Sequence, residues 1–371
     1  MGVAMASSPP GEPGNVVPLP YDAGSLARRV GPAWKETLLT IYRGMLLGRI
    51  LDQRLLGLQR QGRVGFYGPA MGQEATNAAV AAALGKEDWV FPGLREQLVA
   101  LLRGHPLPVY LAQLFGNEKD PARGRQMPCH PTAREVGYVS MSSVIGNQIP
   151  QAVGTAWALR RKGVAAIALA CFGDGATSSG DFHAGLNFAG VLRVPVLFLL
   201  TNNQWAISLP ASRQSAVATL AEKARAYGFS GSRVDGTDPV AVFCAVRDAR
   251  EALLKGEGPR LLEAVFYRMA PHSSSDDPTR YQPPGWGEEA RLHDPLGRLE
   301  PLLEKLGLVP GPARDRLREE IETEVRQAIQ ATEPLPPPGP ESLFEDTYRH
   351  PFPPLTEERD RFDTEQGGHF P

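Results

Sequence analysis

An α/β fold, a mainly parallel sheet flanked by helices, is what the sequence predicts. Two observations carry the prediction. Short apolar runs, too brief to cross a bilayer and best suited to buried strands, alternate along the centre of the chain with helical segments. The composition, 42% hydrophobic and 22% charged over 371 residues, is that of a globular protein able to bury a large core.

Taken in order, residues 1–33 are rich in Gly, Pro and Ser and predict a flexible N-terminal segment. A helix follows from Trp34, with Leu38, Ile41, Tyr42 and Met45 on one face, running through Leu51, Leu55 and Leu58 to a stop at Gly62. "GFYGPAMGQEATNAAVAAALG" reads as a glycine-rich loop entering an alanine-rich helix. The clearest strands are 167–172, 194–201 and 260–268, and "VAVFCAVRDAREALLKG" is a helix between the last two. Leu317, Ile321, Val325 and Ile329 recur every four residues in a charged helix that "EPLPPPGPE" breaks. The expected division is one α/β domain over 34–333 and a Pro-rich tail over 334–371.

Several function classes are disfavoured. A net charge of −2 gives no pull toward nucleic acid or an anionic membrane. Cys129, Cys171 and Cys244 form neither a zinc motif nor a disulfide framework, which fits a reducing cytoplasm. The N-terminus lacks the basic start and apolar stretch of a secretory signal.

The stretch "GDGATSSGDFHAGLNFAGVLRVPVLFLLTNN" (173–203) is the chemically informative one. A strand ends at Phe172, the chain turns through Gly173-Asp174-Gly175, and the next strand ends near Asn202 and Asn203. If the strands are parallel neighbours, Asp174 and Asn203 face each other at the edge where open α/β sheets bind ligands. A carboxylate and an amide oxygen suit Mg²⁺, and the metal can bridge to a diphosphate that the glycines let approach. On pattern alone, Asp174 can equally be a helix cap and Asn202-Asn203 a turn.

"GDG" followed about thirty residues later by "NN" resembles the signature of thiamine diphosphate enzymes. "RQGRVGFYGPAMGQEA", "DWVFPGLRE", "GRQMPCH", "SSVIGNQIPQAVG", "GDFHAGLNFAG", "NNQWAIS" and "PHSSSDD" extend the likeness over about 34–330. The chain resembles the alpha subunit of the decarboxylating component of 2-oxo acid dehydrogenase complexes. "GRQMP", "GDFHAGLNFA" and "HSSSDD" resemble the branched-chain (2-oxoisovalerate) type more than the pyruvate type, so the thiamine diphosphate-binding fold, diphosphate-binding type, is implied.

The resemblance implies Asp174, Asn203 and the main-chain oxygen of Trp205 as Mg²⁺ ligands. Gly173, Gly175 and Ala176 would meet the diphosphate, Ala206 and Ile207 would line the cofactor cleft, and Arg95 would grip phosphate. Leu94 stands where relatives commonly carry Tyr, and Thr201 where some carry Arg. Ser143 and Ile145 would lie beside the cofactor, within a loop whose Ser142, Asn147 and Gln148 match a monovalent-cation site in some relatives. His272 would act at the reacting centre, Ser273 matches a phosphorylation position in eukaryotic relatives, and Pro283 stands at the second such position. Phe66, Met127, Pro128, Cys129, His130 and Ser143 would shape the substrate pocket.

The implied reaction decarboxylates a branched-chain 2-oxo acid and passes the acyl group to a lipoyl-bearing acyltransferase. With only one diphosphate-binding unit, the chain would need a beta subunit to supply the activating Glu, in an α₂β₂ heterotetramer. No nucleic-acid or membrane partner is expected. The rivals are a pyruvate or acetoin dehydrogenase alpha subunit and a non-catalytic Mg²⁺–nucleotide-binding regulator.

Overall fold

The computed structural model describes residues 16–346, 348–350 and 352–365. Within them lie strands β1 (Trp89–Phe91), β2 (Ala168–Gly173), β3 (Val196–Asn202), β4 (Trp205–Ala206), β5 (Leu209–Pro210), β6 (Ser230–Asp235) and β7 (Arg260–Val265). Five of them form one sheet in the order β1-β2-β3-β7-β6, with every pairing parallel. β4 and β5 make a separate antiparallel hairpin. The α/β class and mainly parallel sheet read from the sequence are what the structure has.

The inner strands β2, β3 and β7 alternate between two cores, as a period of two requires. Leu169, Cys171, Leu197, Leu199, Leu262 and Ala264 join the core beneath helices Trp34–Arg60, Glu74–Ala83 and Pro239–Leu254. Ala168, Ala170, Phe172, Val196, Phe198 and Leu200 join the core beneath helices Gln148–Arg161 and Gly180–Leu192. Burial on both faces explains why β2 and β3 read as continuous apolar runs.

Helix Trp34–Arg60 begins and ends close to where its periodicity placed it. A Cβ on Gly44 would lie 2.7 Å from Leu102 Cδ1, and one on Gly48 would lie 2.8 Å from Leu98 Cδ2. Glycine at both positions lets helix Gln97–Leu102 seat against this helix, and that seating carries the neighbouring Arg95 into the interior.

The N-terminal segment differs from expectation. Residues 16–33 are folded onto the domain: Leu19, Tyr21 and Leu26 are buried, and helix Ala23–Arg29 is capped by Asp22. The Tyr21 hydroxyl donates to Asp238 at 2.7 Å. These apolar anchors outweigh the Gly and Pro around them, so the expected flexible segment does not reach residue 33, and residues 1–15 lie outside the described residues. At the other end, Pro336 O accepts from Glu118 N at 2.8 Å and Arg125 donates to Glu345 O at 2.8 Å, before a helix over Pro353–Glu365.

Candidate functional site

The C-terminal ends of β2 and β3 open into a cavity of about 540 Å³. In register, Gly173 pairs with Thr201, so Asp174 and Asn203 leave adjacent strands on one edge and both line the cavity.

Asp174 starts a 3₁₀ turn immediately after β2 and is buried. Its Oδ2 accepts from Gln214 Nε2 at 2.9 Å. Burial pushes its carboxyl up to about 6, against the opposing pull of its own backbone N–H, Gln214 and the Arg268 charge. Burial outweighs those three favourable contacts, so a nearby cation would stabilise this carboxylate further. Asn203 Oδ1 accepts from Trp205 N at 3.1 Å. The chain then turns sharply, with Gln204 and Ile207 at φ 72° and 56° on either side of β4. This turn brings Trp205, Ala206 and Ile207 to the cavity wall.

A Cβ on Gly175 would sit 2.8 Å from Ala206 Cβ, so any side chain there would crowd the gap between the 173–176 turn and the β4–β5 hairpin. Carboxylate, amide and carbonyl oxygens are hard donors that fit Mg²⁺ completed by water and phosphate. Among the described residues no group of three or more His, Cys, Asp or Glu could hold a metal ion, so a site here must use such a mixed set.

Arg95 is buried, and its guanidinium bridges two loops. Nη1 donates to Pro69 O, while Nη2 donates to His272 O at 2.7 Å and approaches His272 Nδ1 at 3.2 Å. Burial, then repulsion from Arg268, lowers its pKa to about 10, which leaves it cationic at neutral pH. Burial, then Arg95 and Arg268, lowers His272 to about 4, so its ring is neutral there. A guanidinium can only donate, so Nδ1 is the acceptor and Nε2 carries the proton.

Phe66, Leu94, Met127, His130, Ser143 and Ile145 also line the cavity. His130 Nδ1 lies 2.9 Å from Pro128 O, where it donates, leaving Nε2 to accept from Ser143 Oγ at 2.5 Å. Pro128 and Cys129, expected in the substrate pocket, are not among the lining residues. Cys129 is buried with φ 65° and a thiol pushed up to about 12 by burial, so it turns the chain and presents no thiolate. Ser142 Oγ accepts from Asn147 Nδ2 at 3.0 Å, and Ser273 is buried.

Residues 42–341 match the family model described as dehydrogenase E1 component. The chain belongs to that family. It is 42% identical over 317 residues to 2-oxoisovalerate dehydrogenase subunit alpha 2, mitochondrial, of Arabidopsis thaliana, covering 85% of this chain and 67% of that one. It is also 42% identical over 302 residues to the pyruvate dehydrogenase E1 component subunit alpha of Bacillus subtilis (strain 168), covering 81% of this chain and 79% of that one. The corresponding subunit of Bacillus cereus is 40% identical over 314 residues, 84% of this chain and 82% of its own length.

Three residues of this E1-family site escaped the sequence reading. Arg268 is buried just beyond β7 and donates to Trp205 O at 3.3 Å and to Ile207 O at 2.8 Å. The carbonyl expected to ligate Mg²⁺ therefore already accepts from a guanidinium. The strand-end logic that found Asn203 applies equally to Arg268. Gln214, which steadies Asp174, comes from an irregular loop with no signal in its spacing. Glu96 lines the cavity floor, with Oε1 accepting from Gln73 Nε2 at 2.6 Å and Oε2 from Arg95 N at 3.3 Å.

Proposed function

We propose that this chain is the alpha subunit of a thiamine diphosphate-dependent enzyme that decarboxylates branched-chain 2-oxo acids and passes the acyl group to a lipoyl-bearing acyltransferase. The coarser statement, an E1 alpha subunit of a 2-oxo acid dehydrogenase, follows from family membership. The observation that supports a thiamine diphosphate site is the meeting of Asp174 and Asn203 at neighbouring strand ends, in one cavity with Arg95 and His272.

Asp174, Asn203 and Trp205 O would hold Mg²⁺, with Gly173, Gly175 and Ala176 alongside the diphosphate. Thiamine diphosphate, when bound, supplies the nucleophilic carbon and the electron sink for loss of CO₂. Arg95 offers a fixed cation to phosphate oxygens. His272 offers Nε2–H as a hydrogen-bond donor or proton source near the reacting carbon. Phe66, Leu94, Met127 and Ile145 give the acyl pocket an apolar wall suited to a branched aliphatic tail. "GRQMP", "GDFHAGLNFA" and "HSSSDD" support the branched-chain reading, while relatives named for each substrate are equally similar.

A beta subunit in an α₂β₂ assembly would supply the acid for the aminopyrimidine ring, since Glu96 is already engaged by Gln73 and Arg95. The location inferred is the cytoplasm, in keeping with three free, buried thiols. Among the described residues no helix is long and apolar enough to cross a membrane.

The test is a substrate panel on the enzyme assembled with its beta subunit, followed with an artificial electron acceptor. A higher kcat/KM for 2-oxoisovalerate than for pyruvate is expected, graded by about 1–3 kcal/mol per methylene. The reverse order overturns the branched-chain reading and leaves the family standing.

A further inference from the structure

Residues 61–73 connect helix Trp34–Arg60 to helix Glu74–Ala83, and their glycine-rich sequence is a junction of the site. Pro69 O accepts from Arg95 Nη1. Tyr67 O accepts from Ser274 N at 2.9 Å, and Tyr67 N donates to Ser274 Oγ at 3.2 Å, joining the loop to the segment that bears His272. Met71 O accepts from Met269 N at 3.1 Å, next to Arg268. Phe66, on the same loop, lines the cavity.

Beneath this junction lies Asp52, the one charged residue among the buried positions of helix Trp34–Arg60. Its Oδ1 accepts from the Tyr67 hydroxyl at 2.6 Å and its Oδ2 from Ala70 N at 2.7 Å. Burial pushes its carboxyl up to about 7, and the two bonds that favour the ionised form both come from the one loop.

The second bond is the informative one. Ala70 N–H and Pro69 C=O belong to a single planar peptide unit, and in a trans peptide they point in opposite directions. That unit is a strut, gripped by the Asp52 carboxylate at one end and the Arg95 guanidinium at the other. Rotating it would break both contacts together. The carboxylate also polarises the peptide and makes its carbonyl a stronger acceptor for Arg95.

We propose that Asp52 is a positioning residue for the reaction site: through Tyr67 and the Pro69–Ala70 peptide it fixes Arg95 and the His272 segment relative to each other. This rests on the roles given above to Arg95 and His272. Asp52 itself is not among the residues that line the site cavity, and acts by holding residues that are.

The test uses the enzyme assembled with its beta subunit, measuring the Kd for thiamine diphosphate with Mg²⁺ by calorimetry, and kcat. Asp52→Leu keeps the branching at Cγ, though bulkier, and removes both acceptors, and should weaken cofactor binding and lower kcat by at least about tenfold each, the scale of a lost charged hydrogen bond. Asp52→Asn should restore most of both, since its amide oxygen can face Ala70 N–H and its NH₂ can donate to the Tyr67 oxygen. A purely structural Asp52 would lower the Tm and leave Kd and kcat unmoved. Wild-type Kd and kcat in assembled Asp52→Leu would overturn the proposal. If that variant does not assemble, Tyr67→Phe decides: it releases one of the two anchors and should weaken binding by about threefold, and wild-type values there would equally overturn it. Arg95→Ala, measured in parallel, separates this proposal from its basis. Unchanged cofactor affinity in Arg95→Ala removes the diphosphate role of Arg95, whereas weakened binding there with none in Asp52→Leu removes only the role of Asp52.

Discussion

Within one cavity, Asp174, Asn203, Trp205 and Arg95 are buried and hydrogen-bonded to fixed neighbours, while Met127, Val144, Ile145 and Ile207 stand 55–63% exposed. The first group sits at strand ends and a helix start, held by the sheet register and by Gln214, Arg268 and the 66–71 loop. The second sits on loops, with apolar side chains turned toward solvent. Exposed aliphatic residues of this size, gathered at the mouth of a binding site, are the mark of a surface meant to be covered. On the proposed reading, the buried residues would form the metal–diphosphate half of the site within this chain, and a beta subunit would complete the half that receives the aminopyrimidine ring.

The buried half should be the more sensitive to substitution. Asp174→Ala or Asn203→Ala is expected to abolish Mg²⁺-dependent binding of thiamine diphosphate while the fold persists, because each removes a ligand and leaves no substitute oxygen. Calorimetry with and without Mg²⁺ is the check, and wild-type affinity in either variant would end the metal assignment.

His272 lines the same cavity and contacts Arg95, so on its proposed role its loss should separate chemistry from binding. His272→Ala should lower kcat by roughly a hundredfold or more, the usual range for a positioned acid or base. The cofactor Kd should move much less. Equal changes in both would make His272 a binding residue only.

On the open half, the sign reverses. Ile145→Lys should leave the stability of the isolated chain within about 0.5 kcal/mol, as exposed positions do. It should nonetheless prevent capture of the beta subunit, read by co-purification. Normal assembly of that variant would mean the exposed face is not the interface.

A further effect concerns pH. Burial and two guanidinium groups hold His272 at about 4 in the folded chain, below its ordinary 6.5. The neutral ring is the one the fold accepts, so this contribution to stability is complete above 6.5 and is lost as pH falls through about 4. Urea midpoints should fall more steeply over that interval for the wild type than for His272→Gln, which has no proton to gain. Parallel curves would show that His272 titrates normally.

The buried half was also the more legible in the sequence. β2, β3 and β7 announced themselves as apolar runs, and Asp174 and Asn203 followed from where those runs stop. β1, only Trp89–Phe91, is too short to show a period. β6, "SGSRVD", is an edge strand with its first four residues exposed, so it lacks the hydrophobic signal of its neighbours. Residues 16–33 hid their anchors Leu19, Tyr21 and Leu26 among glycine and proline. Arg268 was readable in principle, as the charge that follows β7 on the same edge. Asp52 and Gln214 were not, because their meaning depends on contacts with Ala70 and Asp174 made across the fold.

The most direct test of the half-built site is CO₂ release by the purified chain, alone and then co-expressed with a matching beta subunit. Thiamine diphosphate, Mg²⁺, a 2-oxo acid and an artificial electron acceptor are present in both cases. Alone, the chain should bind cofactor weakly and release no CO₂, and the beta subunit should restore turnover. Full-rate decarboxylation by the isolated chain would contradict the account, since the open half would then need no partner.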